Sequence, residues 1–448
     1  MKPPVEASAA PQPKPGGHSL NLGIVFLTLF IDLVGFSIIF PLFPAILDFY
    51  LPLEEAKGGP LKTLVSFLNK IAQTQHNEPQ FMTTVLFGGI LGSIYALLQF
   101  ITAPLWGRLS DRIGRRSVLI ITLSGIALSY LVWTLSGSFS LLLASRLLSG
   151  AMSGNLSVAT AAIADITTRK NRAKGMALIG IAFGLGFIVG PAIGGLSSKI
   201  NLLDSYPGLA QWGINPFSVP ALIALSLALV NLISVITHFK ESLSKKKHPQ
   251  ESSKSRIAAI FDIQKPDIRR ANLIYFIIIL SFSGMEFTLT FLAVERLNFS
   301  PSQNGLLFVF IGFFLILTQG IGVRRLAPLV GEKRLILIGI GLGSMAFAGT
   351  AYAMELTTFL ISQALLAIGI GLINPSLSAI VSLYASEETQ GRYLGILRSV
   401  ASLARAMGPL LAASLYFYFG SRFSYFTGSL IMLSTLILAK QLVQPKKE

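Results

Sequence analysis

The chain has 448 residues, of which 52% are hydrophobic and only 12% are charged, and its mean hydropathy is +0.67. Soluble domains carry about 25% charged residues, so this composition excludes a soluble enzyme, a DNA-binding domain, a coiled coil and a disordered chain. The net charge of +16 fits either nucleic-acid binding or membrane topology, and the positions of the charges must decide between them.

The apolar residues form runs long enough to cross a bilayer, which takes about 20 residues of helix. Residues 1–20, rich in Pro, Ala and Gly, come first and are predicted to be a disordered tail. Twelve runs follow, at about residues 21–50, 81–106, 117–136, 139–165, 175–198, 217–239, 271–297, 302–323, 335–354, 356–385, 393–419 and 423–439. The uncharged stretch 117–145 is divided at Ser136-Gly-Ser138, because one helix of that length would overshoot the bilayer.

The twelve runs form two groups of six, separated by a polar, lysine-rich stretch. We therefore predict an all-α membrane fold with an N-terminal half at 21–239, a cytoplasmic linker at 240–270 and a C-terminal half at 271–443. Between the first two spans, apolar residues from Leu61 to Ile71 recur at helical spacing. This segment is predicted to be a short interfacial helix, with a structural cap as its plain role.

The positive charges predict which side of the membrane each loop occupies. If both termini lie inside, inner segments hold 27 of the 36 lysine and arginine residues and outer loops hold six. This asymmetry predicts both termini in the cytoplasm, in a plasma or inner membrane. It also explains the net charge without nucleic acid.

A charged motif lies in the inner loop between spans two and three, Gly107-Arg-Leu-Ser-Asp111-Arg112-Ile-Gly114-Arg115-Arg116. Its glycines permit a tight turn and its charges can pair, although an ordinary positive-inside loop would also contain arginines. The pattern G-x-L-x-D-R-x-G-R-R resembles the loop motif of the major facilitator superfamily at every key position. With the twelve spans and the repeated halves, the resemblance covers essentially the whole chain.

The resemblance implies an inner gate, because several family members place an acid at the inner end of span four that joins the loop motif. Asp165 holds that position here. The expected inner-gate cluster is Gly107, Asp111, Arg112, Gly114, Arg115, Arg116 and Asp165. The alternative is a set of solvated surface charges, which would contribute little.

Two further motifs point to an antiporter. Arg146-x-x-x-Gly150-x-x-x-Gly154 in span four resembles the family motif whose arginine is implicated in proton coupling. Span five resembles the antiporter motif ending GPxxGG, and span eleven carries a weaker counterpart; the predicted helix-packing gate is Gly186, Gly190, Pro191, Gly194, Gly195, Gly408 and Pro409. Close packing by small residues occurs in any helix bundle, and both interpretations hold together.

The start of span one, Asp32-Leu-Val-Gly35 followed by Pro41, is similar to drug:proton antiporters of the tetracycline-resistance type. Further stretches, such as Val85–Ser93 and Gly395–Pro409, are more similar still to the animal tetracycline-transporter-like group. That resemblance implies efflux of amphipathic organic anions or tetracycline-like drugs.

Five ionisable residues lie inside the predicted spans: Asp32, Arg146, Glu286, Arg398 and Arg405. Each costs at least about 2.5–3.5 kcal/mol at the centre of a bilayer, so a functional role is the default and a buried structural ion pair is the alternative. Counting about 1.5 Å per residue places Glu286 and Arg405 at similar depth, whereas Asp32 and Arg146 match less well.

These residues predict two roles inside the bundle. Asp32 and Glu286, with Arg146, are expected to couple transport to protons, because a carboxylate in a low dielectric with a movable arginine partner can titrate during the cycle. Arg398 and Arg405, together with Glu286 and Asp32, are expected to bind substrate, since a guanidinium suits a carboxylate. The competing interpretation is that both arginines only neutralise Glu286.

Nothing in the sequence predicts an enzyme, a metal site or a cofactor. Cysteine is absent, the four histidines have no metal-ligand spacing, and the chain has no phosphate-binding loop. We therefore predict a proton-coupled exporter of amphipathic drugs or organic anions. A metabolite importer or facilitative uniporter is the first alternative, and a non-transporting membrane scaffold or receptor is the second.

Overall fold

The computed structural model describes residues 16–57, 60–73, 78–167, 172–243, 265–386 and 389–444, and these residues form helices and turns without a β-strand. The helices of the first half are α1 Gly16–Ser37, α2 Phe43–Lys57, α3 Pro60–Gln73, α4 Pro79–Ile113, α5 Arg115–Thr134, α6 Phe139–Met152, α7 Asn155–Ile166, α8 Arg172–Ser197, α9 Leu202–Ser205 and α10 Ser218–His238, with 3₁₀ turns at Phe40–Leu42 and Pro207–Trp212.

The second half contains α11 Pro266–Leu297, α12 Pro301–Leu317, α13 Val323–Val330, α14 Glu332–Tyr352, α15 Leu356–Tyr384 and α16 Gln390–Lys440, with a π-helical turn at Thr318–Gly322. α11 begins with Pro266, which fits the first turn of a helix because it has no N–H to leave unpaired. It therefore starts before residue 271, the predicted start of this half. The linker residues 244–264 lie outside the described part of the chain.

The twelve predicted spans are confirmed, although several of them are not separate, unbroken helices. Span one is divided between α1 and α2 by the 3₁₀ turn at Phe40–Leu42, and the π-helical turn at Thr318–Gly322 lies in span eight. α16 contains spans eleven and twelve, which separate at Gly420, where φ is 79° and ψ is 168°. Span four consists of α6 and α7, which are interrupted at Ser153 and Gly154. Within the described ranges, ten helical segments are long and apolar enough to cross a membrane on their own. The break at Gly420 and the two short helices of span four account for the others.

The start of the chain and the segment between spans one and two differ little from the sequence predictions. α1 begins at Gly16, within the predicted tail 1–20, and residues 1–15 lie outside the described ranges. The predicted helix between spans one and two is confirmed as α3, which packs against α2 and α4.

An even number of spans brings the chain back to its starting side. We call the side that holds Gly16 and Gln444 the terminal face, and the other side the opposite face.

The two halves meet mainly through two pairs of helices, α4 with α16 and α8 with α12. Near the opposite face these pairs touch at glycines. A methyl group on Gly195 of α8 would lie 2.8 Å from Cα of Gly305 in α12, and one on Gly89 of α4 would lie 3.0 Å from the carbonyl oxygen of Pro409 in α16. Only glycine lets the backbones approach this closely, so the bundle is closed at this end.

The same helices diverge toward the terminal face. On α4, Gly89 and Ser93 contact α16, and Ser93 Oγ accepts a hydrogen bond from Leu410 N at 2.9 Å. Toward the terminal face, Ala96 and Phe100 on this face of α4 are only half-buried, and a methyl group on Gly184, which shares the face of α8 that carries Gly195, would meet nothing within 4 Å. The contact between the halves therefore ends near the middle of the helices, and a cavity lies below it.

Candidate functional site

A cavity lies between the two halves at mid-height of the bundle, with about 1060 Å³ of empty space that includes open solvent. Its walls are apolar and rich in aromatic side chains, of which all but Phe287 come from the N-terminal half: Phe36, Phe40, Phe43, Phe183, Phe187, Phe287 and Tyr95. Toward the opposite face it is closed by ring contacts between the halves, with centroids 5.0 Å apart for Phe43 and Phe287 and 6.5 Å apart for Phe40 and Phe308. A cavity with apolar and aromatic walls and a few charged groups fits a small molecule with an aromatic body.

Four of the five predicted intramembrane charges line this cavity. Asp32 and Arg146 come from the N-terminal half, and Glu286 and Arg405 come from the C-terminal half. Each half therefore contributes one acid and one arginine. The fifth charge, Arg398, does not belong to the described lining; it lies near Tyr275 of α11.

Asp32 receives a hydrogen bond from an amide. Asn155 Nδ2 donates to Asp32 Oδ1 at 3.2 Å, and Asn155 Oδ1 in turn accepts from Thr122 Oγ1 at 2.5 Å. Asn155 is fully buried, at 0% exposure, and it is the first residue of α7. The break in span four thus places the start of a helix, with its amide side chain, directly beside the carboxylate.

The break itself is stabilised from α4. Tyr95 OH and Gln99 Nε2 both hydrogen-bond Ser153 Oγ at 2.8 Å, and Trp106 Nε1 donates to the carbonyl oxygen of Ala151 at 2.8 Å. The Trp106 bond occupies a backbone carbonyl group near the end of the interrupted helix, and the other two bonds hold the Ser153 side chain in place. In membrane proteins, interrupted helices occur where they line a cavity, and this one lines the wall that carries Asp32.

Arg146 lies on the same wall but makes no ion pair with Asp32 within 4.0 Å in the described structure. Its guanidinium carbon lies 4.6 Å from the centre of the Trp133 ring, and Nε donates to Ser145 Oγ at 3.3 Å. Arg146 is 3% exposed, and its Nη2 has no hydrogen-bond partner among the described residues. The side chain is therefore held by an aromatic ring and keeps a donor free.

Glu286 and Arg405 both face the cavity, as their similar depth predicted. The described residues show no ion pair between them within 4.0 Å, and their interaction is electrostatic over a longer distance. The guanidinium carbon of Arg405 instead lies 5.2 Å from the centre of the Phe183 ring, which belongs to the other half. Arg405 thus reaches across the cavity between spans eleven and five.

The charged loop residues form a cluster at the terminal face. Arg115, whose side chain is 7% exposed, pairs with Asp111 at 2.6 Å and with Asp165 at 2.9 Å, and its Nη1 donates to Ser110 Oγ at 2.6 Å. Gly114, with φ of 101°, makes the turn between α4 and α5 that turns Arg115 inward. The structure brings together the three charges that the sequence assigned to an inner gate.

The other loop residues play smaller parts. Gly107 accepts a hydrogen bond from Ser110 Oγ at 2.7 Å, Arg112 is exposed, and Arg116 Nη2 donates to the Ile236 carbonyl oxygen at 2.6 Å. Sequence reasoning missed Glu241, whose carboxylate accepts from the backbone N–H groups of Arg115 and Arg116 at 2.9 and 3.1 Å. Glu241 follows span six in the predicted linker, and no motif marks it.

The predicted helix-packing glycines all lie at close approaches. Gly186, Gly190 and Gly194 of α8 face α1, near Leu33, Ser37 and Ile38, and Gly195 faces α12. In the other half, Gly408 faces α11 near Leu280 and Ser283, while Pro191 and Pro409 contact Gly305 and Gly89 through their carbonyl oxygens. Both close packing and contact between the halves therefore occur at these positions.

The fold and the cavity between its two six-helix halves are those of a membrane transporter for small molecules. The sequence profile of the Major Facilitator Superfamily matches residues 25–353 and 271–448, and the chain belongs to this family. It is a transporter and not an enzyme, as the sequence predicted.

Relatives of known sequence cover almost the whole chain. Major facilitator superfamily domain-containing protein 10 of Mus musculus is 32% identical, over 97% of this chain and 95% of the relative. The class H tetracycline resistance protein of Pasteurella multocida is 27% identical, over 94% of each chain.

Solved structures agree with this. The crystal structure titled as the human organic anion transporter MFSD10 (TETRAN) has a TM-score of 0.74 and 32% identity, and it covers 96% of this chain and 100% of that chain. A D-xylose-proton symporter, at 16% identity and a TM-score of 0.67 over 96% of this chain and 98% of that one, shares the fold alone.

Proposed function

We propose that this protein exports amphipathic organic anions or drugs in exchange for protons, by alternating access around the central cavity. The observation that carries the proposal is the lining of that cavity, where aromatic walls surround one acid and one arginine from each half. The acids can take up and release protons, and an arginine stays charged throughout and can bind an anionic group.

The orientation of the chain in the membrane determines which compartment the open end of the cavity faces. The excess of lysine and arginine on the terminal face supports placing that face in the cytoplasm of a plasma or inner membrane. The bundle is closed at the opposite face and diverges toward the terminal face, so the cavity is then open to the cytoplasm. This is the state in which an exporter collects its substrate and releases its proton.

The names of the relatives support the same substrate class. One relative of known structure is titled an organic anion transporter, and others are tetracycline resistance proteins. In this chain, the sequence predicted Arg398 and Arg405 as partners for a substrate anion, and of these two Arg405 lines the cavity. Its guanidinium already lies over the aromatic ring of Phe183. An aromatic acid would place its ring among the phenylalanines and its charge beside Arg405.

Flux in proteoliposomes tests the proposal. The probe is 2-naphthalenesulfonate, an aromatic anion that stays ionised, so a pH effect belongs to the protein. We expect accumulation into vesicles with an acidic lumen, and loss of accumulation when an ionophore collapses the gradient. Flux that only equilibrates, whatever the gradient, would indicate a facilitative uniporter. A lack of flux for a broad panel of aromatic acids and metabolites would indicate a scaffold or receptor.

A further inference from the structure

We propose that Asn155 is a positioning residue whose side-chain amide turns over when Asp32 gains or loses a proton. In this switch the amide exchanges its donor and acceptor ends, and Thr122 provides the hydrogen-bond partner at the end that does not face Asp32. The proposal rests on the proposed function, because it assigns to Asn155 a part in proton exchange at Asp32. It concerns three side chains in a row, from α5 through α7 to α1: Thr122, Asn155 and Asp32.

The hydrogen bonds of the three groups fit an ionised Asp32. The carboxylate only accepts, so Asn155 must present its NH₂ group, and Nδ2 lies 3.2 Å from Asp32 Oδ1. The amide oxygen then faces Thr122, whose hydroxyl donates to it at 2.5 Å. Because Asn155 is fully buried, each of its polar groups needs a partner, and this arrangement provides one at each end.

The same groups also fit a protonated Asp32. A carboxylic acid donates, so a half-turn of the amide would let Asn155 Oδ1 accept from Asp32 and Nδ2 donate to Thr122 Oγ1. Thr122 has a second acceptor ready for its single proton, since Oγ1 lies 2.9 Å from the carbonyl oxygen of Val118 and 3.2 Å from that of Leu119. No group loses its partner in either state.

The break in span four makes this arrangement possible. Because α6 ends at Met152 and α7 begins at Asn155, the asparagine is the first residue of a helix and its side chain projects toward α1. The bonds from Tyr95, Gln99 and Trp106 to the break keep this geometry fixed. A small rotation of one amide then replaces a rearrangement of the backbone.

Of the three side chains, Asp32 alone binds the transported proton. The proton reaches the carboxylate from water in the cavity and leaves by the same route, while Asn155 and Thr122 only exchange donor and acceptor roles. Tyr95 from α4 and Tyr130 from α5 interact electrostatically with Asp32. The other charged groups of the same cavity are Arg146 from α6, and Glu286 and Arg405 from the C-terminal half. α8 contributes the apolar Phe183 and Phe187 to this part of the cavity, and Asn231 of α10 bonds the backbone of α1.

Asn155 stabilises the ionised carboxylate more than the neutral acid, since a hydrogen bond to a charged acceptor is the stronger of the two. In the state open to the terminal face, it therefore favours release of the proton. Without this amide, Asp32 should keep its proton to a higher pH. The same substitution should leave exchange of substrate alone unaffected, because that half-reaction needs no change of protonation.

Infrared titration of the whole protein in lipid tests the switch independently of transport. The carboxylic acid C=O band of Asp32 is identified by its loss in Asp32→Asn. We expect Asn155→Leu to move the midpoint of this band upward by about one pH unit. Thr122→Val should move it in the same direction by less, and Thr122→Ser, which keeps the hydroxyl, should restore it. Thr122→Val also serves if Asn155→Leu fails to fold.

Transport separates this proposal from the proposed function. In wild-type and variant proteoliposomes, 2-naphthalenesulfonate is measured both as proton-driven accumulation and as exchange at equal pH. We expect Asn155→Leu to reduce accumulation at least about tenfold and to leave exchange within about twofold. An unmoved infrared midpoint in both variants would overturn the switch. A moved midpoint with no proton-driven transport in the wild type would keep the switch and overturn the proposed function.

Discussion

The guanidinium of Arg146 lies 4.6 Å from the centre of the Trp133 ring, and its Nη2 has no hydrogen-bond partner among the described residues. An aromatic face attracts a cation, so Arg146 is stabilised in the interior of the bundle without a carboxylate against it. Asp32, on the same cavity wall, makes no ion pair within 4.0 Å among the described residues. An acid and an arginine that are close but not paired can each take a different partner during a transport cycle.

The first prediction concerns the two acids of the cavity. We expect Asp32→Asn and Glu286→Gln each to abolish proton-driven accumulation, because both substitutions remove a group that binds a proton and keep its shape. Exchange of substrate at equal pH should persist. The measurement is uptake of 2-naphthalenesulfonate into proteoliposomes, with and without an imposed gradient.

Glu295 provides the matched control for these two variants. It lies on the same helix as Glu286 but is hydrogen-bonded by Tyr416 and Ser421 near the opposite face, outside the cavity lining. Glu295→Gln should therefore retain coupling in protein that folds. If both cavity variants transport uphill as well as the wild type does, protons are not carried by these acids.

The second prediction concerns the charge of the substrate. Arg405 lines the cavity and Arg398 does not, although the sequence offered both as partners for a carboxylate. We expect Arg405→Ala to weaken inhibition by 2-naphthoate about tenfold or more, since it removes a charge-assisted contact, and to change inhibition by the neutral 2-naphthamide by less than about twofold. Competition against labelled 2-naphthalenesulfonate measures both.

Arg398→Ala is the comparison for this experiment, because Arg398 shares the helix of Arg405 two turns away. It should leave the preference for the acid over the amide in place. Equal weakening of acid and amide in Arg405→Ala would mean that this arginine only holds span eleven in position. A loss of preference in Arg398→Ala alone would place the anion site elsewhere on the helix.

The architecture followed from the sequence because its signals are local. Twenty apolar residues suffice to predict a span, and the break between spans eleven and twelve falls at Gly420, inside the predicted gap between 419 and 423. The break inside span four was not predicted. Small residues such as Ser153 and Gly154 are common in membrane helices, and here the interruption depends on hydrogen bonds from Tyr95, Gln99 and Trp106 on another helix.

The candidate site was predictable in composition but not in pairing. The free-energy cost of placing a charged side chain in lipid marks four residues as unusual, whatever the rotation of their helices: Asp32, Arg146, Glu286 and Arg405. Which side chains meet depends on the rotation of each helix about its axis, which a sequence of uniformly apolar spans leaves open. The cation–π contact of Arg146 with Trp133 and the amide of Asn155 at Asp32 both depend on that rotation.

The third prediction concerns the inner-gate cluster. The side chain of Asp111 is 61% exposed although it pairs with Arg115, and it stands at the face where the halves diverge. When that face closes, this carboxylate can meet the start of span eleven, so it should stabilise the closed arrangement. We expect Asp111→Asn to shift the population toward the state open to the terminal face and to slow turnover, with less effect on substrate binding.

Distances between spin labels at the C-terminal end of α4 and the N-terminal end of α16, both at the terminal face, report this shift. The chain has no cysteine, so pairs of single cysteines can be introduced without removing native ones. Asp267→Asn is the control, because Asp267 is an exposed acid of the other half that pairs with Arg270 at 3.4 Å on the same helix. An unchanged distance distribution in Asp111→Asn would make the cluster a topological signal only.

The last prediction concerns closure at the opposite face, where α8 and α12 touch at Gly195 and Gly305. A methyl group on Gly195 would lie 2.8 Å from Cα of Gly305, and the nearest atoms are backbone, which cannot turn aside as a side chain can. We expect Gly195→Val to hold these helices apart, to favour opening toward the opposite face and to reduce turnover at least about tenfold. Labelling of a cysteine placed at Phe308, near this contact, should become faster from the opposite face. Gly184→Val is the matched control on the same helix, since a methyl group there meets nothing within 4 Å. Turnover and labelling that match the wild type in Gly195→Val would show that the halves can close without this glycine contact.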